Sequence, residues 1–517
     1  MESNSDIKNV EEWLEDDSPV EQSRIEGVTL RTEGSRRLKP LQTIAASWII
    51  CDSWAGVAAT VALAIVQGGP VTLTYGLITM LVLVGACVLT LGELASVYPT
   101  AGGQYHWTSI LSPKRYRRVL SYACGTANMF AWIAICTGIA IIPAQLILGI
   151  VIFYYPDYNA QPWHYFLIYQ ALNGLVMLYN IGLLKRSLWI HDAAFFITLA
   201  SFLAITITCL ARSSGNFEPS ANVWATFLND SGWSSGGVAF LTGLVSPNYM
   251  YAGIDGALHL AEDCTNAATA VPWALVSTLT IGFATSFAFM IAMLYCTHDL
   301  QAVVESSTGI PIFEIWRQAT ESPAAATVFV VLVCFAATFA LIGAQETASR
   351  LTWSLARDDA LLGSKWMGKM HDRLDVPVWA IIFNASVVFI IGCIYLGSSS
   401  AFNAFIGTGL ILQHVSYAFP ALLLLYRGRA SSWLPESRKF RLPGPVGWTV
   451  NLTTVCLAIV VLVFYNFPTV MPVTGSNINY SSAVLGVMAI VACLNWVFYA
   501  RKCYHCPYLR GIEEEPS

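Results

Sequence analysis

Long apolar segments without charged residues, separated by shorter polar ones, fill the chain between residues 41 and 500. A helix crosses the hydrocarbon of a bilayer with about 20 apolar residues, so the longest segments hold two helices each. The pattern predicts twelve spans, at residues 42–66, 71–92, 119–152, 163–183, 188–210, 236–262, 272–296, 326–350, 377–396, 402–425, 447–467 and 481–500. The predicted fold class is an all-α multi-pass membrane protein.

Polar segments flank this predicted transmembrane domain of residues 41–500. Residues 1–40 contain the acidic stretch VEEWLEDDSPVEQ and lack the short basic and apolar pattern of a cleavable signal peptide. We predict that residues 1–40 form a disordered cytoplasmic tail and that residues 501–517 form a second cytoplasmic tail.

The composition and the distribution of charge agree with this class. The chain is 56% hydrophobic and 11% charged, whereas soluble domains contain about 25% charged residues. If the amino terminus is inside, only Arg212 and Arg317 of the 27 basic residues fall on outer segments. Because Lys and Arg collect on the cytoplasmic side, both termini are predicted to be cytoplasmic. The net charge of −5 then carries no information about partners.

The cysteines and the known cofactor motifs give little further chemistry. Most of the 13 cysteines fall in or beside spans, where they are small packing residues, and no disulfide framework is implied. Cys503, His505 and Cys506 would need further ligands to form a metal site, so we predict no metal there. The sequence also shows no cofactor motif, nucleotide motif or nucleic-acid surface, and the expected partners are a lipid bilayer and a small molecule.

Two spans carry helix-breaking residues near their middle. Asp52 is the only charge between Leu41 and Gly92, and a carboxylate at the bilayer centre costs about 2.5–3.5 kcal/mol on insertion scales. Span 6, in SPNYMYAGIDGALHLAED, carries Pro247, Gly253 and Asp255. Proline removes a backbone donor and glycine eases departure from helical angles, so both helices are predicted to be interrupted.

The positions of the two breaks indicate an internal repeat. Spans 1 and 6 are five apart, so a second five-helix unit enters the membrane from the opposite side. Broken helices at corresponding positions of two halves indicate the binding site of a secondary transporter. The predicted repeats are residues 42–210 and 236–425, with two additional helices at 447–500.

Three stretches carry a family resemblance. GELASVYPTAGGQYHW (residues 92–107), GIDGALHLAEDCTNAATAVP (253–272) and GAQETASRLTWSLARDDAL (343–361) follow one another in the chain. Together they resemble the amino acid, polyamine and organocation transporter superfamily, and within it the fungal amino acid and choline transporters that include GABA and choline permeases. The resemblance covers residues 40–500.

The resemblance implies a five-plus-five inverted-repeat, LeuT-like fold that binds substrate between helices 1 and 6. The implied unwound and substrate-binding residues are Asp52, Ser53, Trp54, Ala55, Gly56, Tyr251, Ala252, Gly253, Ile254 and Asp255. The family pattern ARDGALP reads ARDDALLG here, and its Glu-Glu pair reads Glu262-Asp263. Asp52 stands where GABA and choline permeases often have Asn, which bears on the substrate.

Asp52 has two possible roles in such a site. Half-helix amino termini favour a carboxylate, and unwound carbonyls favour a cation, so the site is able to hold a zwitterion. An ionised Asp52 would attract an amine, with Trp54 or Tyr251 supplying a cation-π face. A protonated Asp52 would instead be a proton-coupling group. The sequence leaves both roles open.

Other polar residues near the breaks also have alternative roles. Asp255 is either a pocket residue or a cap of the half-helix that follows. His259 is a packing histidine or a proton relay. Asn128 in span 3 could reach the site or form a helix-helix hydrogen bond.

Charged residues at the inner end suggest gating and coupling. Glu93 and the adjoining PTAGG loop lie at the predicted cytoplasmic opening, where the resemblance implies a gate. Glu346 and Arg350 have the i,i+4 spacing of a structural ion pair. Asp52, Glu93 and His259 are the candidate coupling or gating residues. The fifth span contains no lysine that could replace a coupling cation, so coupling by H+ or Na+ remains open.

The expected function is secondary active transport of an amino acid or related amine, such as an amino acid, GABA or choline. The alternatives are a transporter or exporter of a specialised nitrogenous metabolite and a non-transporting nutrient sensor. An embedded enzyme is disfavoured, because His191-Asp192 is the only close acid-base pair and has no recognisable nucleophile. Sequons at Asn229 and Asn479 fall on predicted outer loops and are glycosylation candidates. We expect the plasma membrane, with the vacuolar membrane as the alternative.

Overall fold

Helices dominate the computed structural model, which describes residues 38–184, 189–306, 308–475 and 477–507. The first half contains α1 (Pro40–Cys51), α2 (Ser53–Val66), β1 (Gln67–Gly68), α3 (Gly69–Val97), α4 (Gln104–Leu111), α5 (Arg117–Tyr154), α6 (Pro162–Gly182), α7 (Trp189–Arg212), α8 (Ser220–Trp224) and β2 (Leu228–Asn229).

The second half begins with α9 (Gly236–Gly243), α10 (Val245–Tyr249), α11 (Gly256–His259) and a 3-10 turn (Ala261–Asp263). It continues with α12 (Ala267–Tyr295), α13 (Leu300–Val304), α14 (Pro311–Thr320), α15 (Pro323–Arg357), α16 (Ser364–Met367), α17 (Val378–Gly397), α18 (Ser399–Tyr426), α19 (Gly444–Phe464), α20 (Ser481–Asn495), a π-helical turn (Trp496–Ala500) and α21 (Arg501–Cys503).

The twelve predicted spans all correspond to helical segments. In the described part of the chain, ten helices are long and apolar enough to cross a membrane, with α1 and α2 together forming one of them. The other two predicted spans are α6, which has 21 residues, and the interrupted segment formed by α9, α10 and α11. The protein is therefore a multi-pass membrane protein.

Equivalent helices of the two predicted repeats pack against each other. α3 and α12, which follow the two broken segments, form one extensive contact, and α5 and α15 form another. α18 packs against α5 on one side and α19 on the other, and α20 packs mainly against α18. This arrangement surrounds the broken segments with long continuous helices.

Short backbone pairings join the two broken segments at both ends. β1 follows α2 and pairs antiparallel with β2, so that Gln67 lies opposite Asn229. At the other end, the Leu38 N–H donates to the Asp263 carbonyl over 3.0 Å, and the Thr265 N–H donates to the Leu38 carbonyl over 2.9 Å. The predicted tails fall mostly outside the described residues, but Leu38 belongs to this bridge and is buried.

Candidate functional site

The interruption of span 1 is a single residue. Asp52 lies between α1 and α2 with φ 36° and ψ 55°, in the left-handed region that Asp and Asn tolerate better than most residues. Its N–H donates to the Trp48 carbonyl over 2.9 Å, and its own carbonyl accepts from Gly56 N–H over 3.0 Å. The expectation of an unwound stretch over residues 52–56 is therefore wrong in extent, because Ser53 already begins α2.

The interruption of span 6 is longer. α10 ends at Tyr249, and a series of turns leads to α11, which begins at Gly256. Within these turns Gly253 has φ 78°, a conformation that few other residues adopt without strain. Pro247 lies inside α10 rather than at the break. The predicted break is thus located at residues 250–255.

Small residues allow the two broken segments to touch. A Cβ atom built on Gly56 would lie 3.2 Å from the Tyr249 carbonyl oxygen. Cβ atoms on Gly253 and Gly256 would lie 3.1 and 2.9 Å from Ile50 side-chain atoms. Because the Tyr249 carbonyl is backbone and cannot move aside as the Ile50 side chain can, Gly56 is the glycine that most directly limits how closely spans 1 and 6 approach.

A cavity of about 490 Å³ lies beside the two breaks. Of the ten predicted substrate-binding residues, Asp52, Ala55, Gly56 and Ala252 line it. The cavity extends from buried Asp52 to the surface loop at Thr469. We call this end of the bundle the mouth face.

The Asp52 carboxylate is the distinctive group in this cavity. Its residue is only 4% exposed, and neither carboxylate oxygen has a hydrogen-bond partner among the described residues. Asp52 is also the only charged side chain among the described residues that line the cavity, where the walls are mainly aliphatic and aromatic. A charged carboxylate in such surroundings is costly unless a cation or a proton neutralises it, so this group is suited to bind an amine or to hold a proton.

Several predicted substrate-binding residues point elsewhere. Trp54 packs against Phe202 and Phe289, with ring centroids 6.3 and 5.3 Å away. The Tyr251 hydroxyl donates to the Leu279 carbonyl over 3.4 Å. Ser53, Gly253, Ile254 and Asp255 are buried but are also not among the residues that line the cavity. The cation-π faces expected from Trp54 and Tyr251 are therefore not on this cavity.

The aromatic residues that do line the cavity were missed by the sequence analysis. They are Tyr249 from α10 and Phe464, Tyr465 and Phe467 from the end of α19 and the loop after it. Tyr249 is two residues before Tyr251 in the same PNYMY stretch, but Tyr249 is the last residue of α10 whereas Tyr251 lies in the turns that follow. The other three lie outside the predicted repeats.

Asp255 lies at the centre of a buried hydrogen-bond network. Its residue is 0% exposed, and its Oδ2 accepts from Gln104 over 2.7 Å and from the Trp132 indole over 3.4 Å. Its Oδ1 accepts from Gln413 over 3.3 Å. It makes no side-chain capping hydrogen bond to α11. Asp255 thus joins α4, α5 and α18 to the break in span 6.

His259 extends this network toward the predicted gate. Its Nδ1 donates to the Ala101 carbonyl in the PTAGG loop over 2.8 Å. Its Nε2 lies 3.2 Å from both Asp255 Oδ2 and Asn128 Nδ2. With Nδ1 donating to a carbonyl, Nε2 either accepts from Asn128 or carries a second proton and donates to Asp255. The pair can therefore hold one exchangeable proton.

Ion pairs close the end of the bundle opposite the mouth face. Glu262 accepts from Arg357 in a bidentate pair, both distances being 3.1 Å, and Asp263 lies 2.7 Å from Arg350. α18 connects the two ends, since Ser400 near its start lines the cavity and Arg427 follows its last residue. We call the end with these arginines the basic face.

Glu93 anchors a loop at the basic face. It is fully buried and accepts from Arg429, from Arg438 over 2.9 Å and from the Leu442 N–H over 3.1 Å. It does not line the cavity. Arg350 pairs with Asp263, as above, whereas Glu346 lies 3.4 Å from His191. The two residues expected to pair with each other therefore contact partners that are distant in sequence.

Both sequons lie at the mouth face. The Asn479 amide nitrogen donates to the carbonyls of Tyr465 and Phe467 over 2.8 and 3.0 Å. Asn229 is exposed, and its amide nitrogen donates to the Trp233 carbonyl over 2.7 Å. Asn479 is half-buried and its amide nitrogen makes two hydrogen bonds, whereas Asn229 is exposed and makes one, so Asn229 is the more accessible of the two candidates.

A bundle with two interrupted helices, a central cavity and a closed opposite end defines a secondary transporter of the inverted-repeat class. Among solved structures, a manganese transporter from Eremococcus coleocola is similar in fold, with a TM-score of 0.54 and 11% identity over 92% of this chain and 94% of that chain. The fold is the predicted LeuT-like inverted repeat. No group of three or more His, Cys, Asp or Glu that could hold a metal ion is found in the described part of the chain.

The sequence comparisons identify the family. Residues 41–490 match the family model described as amino acid permease, and the chain belongs to this family. It is 33% identical to a choline transporter of Saccharomyces cerevisiae, over 88% of this chain and 80% of the relative. A swainsonine transporter of Arthroderma benhamiae is 32% identical, over 90% and 92%. A 7-keto 8-aminopelargonic acid transporter of S. cerevisiae is 28% identical, over 84% and 87%.

Proposed function

We propose that this transporter carries a small organic amine whose cationic nitrogen pairs with Asp52. The observation that carries the proposal is the unpartnered Asp52 carboxylate, the sole charge among the described cavity-lining residues. The cavity volume of about 490 Å³ lies within the roughly 300–1,000 Å³ typical of small-molecule sites. An amine with an apolar body matches both the carboxylate and the walls.

The alternative classes of substrate differ in how they would interact with the groups that line the cavity. A carboxylate without an amine would be repelled by Asp52, so a simple anion is disfavoured. A zwitterion such as an amino acid or GABA could add its carboxylate to the first-turn N–H groups of α2, which have no partners within the helix. The three relatives above are named for choline, swainsonine and 7-keto 8-aminopelargonic acid, which all contain nitrogen. Cationic and zwitterionic amines, including specialised metabolites, are therefore the panel to test.

The deciding experiment is uptake into vesicles that contain the purified full-length protein. Labelled choline, GABA and a panel of amino acids would be tested with and without an imposed proton gradient. For the solute that is transported, Asp52→Asn should reduce uptake by about tenfold or more, because a neutral amide leaves the amine without its counter-ion. Asn also tolerates left-handed backbone angles, so the fold should persist.

The matched control is Asp157→Asn, which neutralises an exposed acidic residue away from the cavity. It should leave uptake unchanged. If Asp52→Asn transports every tested solute as well as the wild type, with the same selectivity, Asp52 is not the counter-ion. If the wild type accumulates none of the panel but binds a solute, a sensor role replaces transport.

We propose H+ as the coupling ion, held by the Asp255–His259 pair. Protonation of Nε2 would strengthen the contact of His259 with Asp255, and Nδ1 holds the PTAGG loop in place. Proton binding would thus favour the state in which the basic face is closed. Na+ coupling is the alternative outcome, and uptake driven by a sodium gradient alone would establish it.

We further propose that the structure represents an outward-facing state, with both termini cytoplasmic and the mouth face outside. The concentration of arginines at one end supports this orientation. The plasma membrane is the proposed location, with the vacuolar membrane as the alternative. Detection of terminal epitope tags in intact and permeabilised cells would test the orientation, and a tag visible without permeabilisation would contradict it.

A further inference from the structure

Part of the cavity wall comes from outside the inverted repeat. Phe464 and Tyr465 lie at the end of α19, and Phe467 and Thr469 lie in the loop that follows. Asn479, just before α20, also lines the cavity. We call residues 464–475 and 477–481 the cap segment. The cap segment thus supplies three of the four aromatic residues that line the cavity among the described residues.

Hydrogen bonds fold the cap segment back on itself. The Asn479 amide nitrogen donates to the carbonyls of Tyr465 and Phe467, over 2.8 and 3.0 Å. The Asn479 side-chain oxygen accepts from the Ser481 N–H over 3.0 Å. One side chain therefore joins the two ends of the loop, which holds the aromatic side chains at the cavity.

The cap segment is also attached to both broken segments. The Tyr465 hydroxyl accepts from Asn248 of α10 over 3.1 Å. Gln67, directly after α2, donates to the Thr469 carbonyl over 3.0 Å. Phe467 stacks on Trp233, just before α9, with ring centroids 5.6 Å apart and planes at 23°. Movement of spans 1 and 6 would therefore change the position of these rings.

We propose that the aromatic side chains of the cap segment form the selectivity element that limits the size of the ammonium group admitted to Asp52. This inference rests on the proposed transport of an amine. Aromatic faces attract cations and so favour entry of an ammonium ion, while the volume of the rings restricts its substituents. Phe464 is the residue to change first, because it lines the cavity and its ring lies 5.3 Å from that of Phe467.

The test is competition with uptake by two ammonium ions of the same charge and different size. Tetramethylammonium and tetraethylammonium would be added to vesicles that contain the full-length protein, and their inhibition constants would be compared. The wild type should prefer the smaller ion. Phe464→Ala should reduce this preference by about fivefold or more, because space is gained where the larger ion is excluded. Val463→Ala, an exposed neighbour that is not among the cavity-lining residues, should leave the ratio unchanged.

The outcomes separate this inference from the proposed function. If the wild type binds neither ion and transports no amine, the proposed function fails. If the wild type discriminates and Phe464→Ala, with normal uptake of the transported solute, keeps the same ratio of inhibition constants, only the selectivity element is refuted. If Phe464→Ala does not fold, Phe464→Leu and Phe467→Leu provide the same comparison with smaller loss of volume, and an unchanged ratio in both refutes it.

Discussion

Asp52 combines a backbone function and a charge at one position. Its left-handed conformation ends α1, and α2 begins at the next residue, Ser53. The carboxylate is thereby held at the buried end of the cavity, where its oxygens have no hydrogen-bond partner among the described residues. Gly or Asn could provide the backbone conformation alone. We therefore expect the carboxyl group itself to be required, as the proposed amine specificity assumes.

His259 allows the coupling proposal to be tested at one residue. His259→Gln retains polar atoms near Asp255 and Ala101 but cannot carry the second proton. We expect the variant to transport solute down its concentration gradient yet lose about tenfold or more of the accumulation driven by a proton gradient. Uptake into vesicles with and without a pH difference measures both quantities.

The control for this prediction is His298→Gln, which changes a partly exposed histidine paired with Glu218 at 3.2 Å. Its accumulation ratio should equal that of the wild type. Retention of full proton-driven accumulation by His259→Gln would show that the coupling proton is held elsewhere.

At the scale of elements, close contact between spans 1 and 6 determines the cavity. Gly56→Ala would place a Cβ atom 3.2 Å from the Tyr249 carbonyl, and a backbone carbonyl cannot rotate away as a flexible side chain can. We expect the two broken segments to separate slightly and the maximal transport rate to fall by about tenfold, while the protein still reaches the membrane. Initial uptake rates at saturating solute, normalised to the amount of protein, measure this effect.

Gly174→Ala is the comparison for Gly56→Ala. Gly174 lies inside α6, and a Cβ atom there would have nothing within 4 Å. Replacing glycine by alanine in an unobstructed helix stabilises it by about 0.5–1 kcal/mol, so this variant should be fully active. Equal rates for both variants would show that the Gly56 contact is not required for transport.

At the scale of the whole molecule, the cavity reaches one face of the bundle while buried ion pairs hold the other face closed. Alternating access requires these pairs to separate when the cavity opens to the basic face. Removing one partner of a buried pair leaves an uncompensated charge, which typically costs on the order of 3 kcal/mol or more. We therefore expect the ion pairs at the basic face to act as an inner gate whose opening has a free-energy cost.

We predict that the ion pair formed by Glu262 and Arg357 stabilises the closed basic face. Glu262→Gln should lower the melting temperature of the purified protein by several degrees, because the half-buried Arg357 guanidinium loses the negative charge of its bidentate partner. The double variant Glu262→Gln/Arg357→Gln should recover part of the loss. Glu436→Gln, which breaks an exposed pair with Arg441, should change the melting temperature little. A melting temperature of Glu262→Gln equal to that of the wild type would contradict a stabilising gate.

The sequence by itself determined the spans, the positions of the two breaks and the family. Membrane insertion depends on the apolar character of about 20 consecutive residues, a local property that can be summed along the chain. Asp52 and Gly253 act on the backbone at or near their own position, so their effects were also predictable. The break in span 1 proved shorter than expected, and Pro247 lies inside α10 rather than at the break.

Only the tertiary structure decided which side chains face the cavity and which partners neutralise the charges. Tyr249 lines the cavity and Tyr251 does not, because α10 ends at Tyr249 and the turns that follow place Tyr251 in a different direction. Arg350 pairs with Asp263, and Glu93 pairs with Arg438, across long separations in sequence. The cap segment likewise reaches the site through helices outside the repeat. Such contacts depend on how distant helices pack, and no short segment of sequence contains that information.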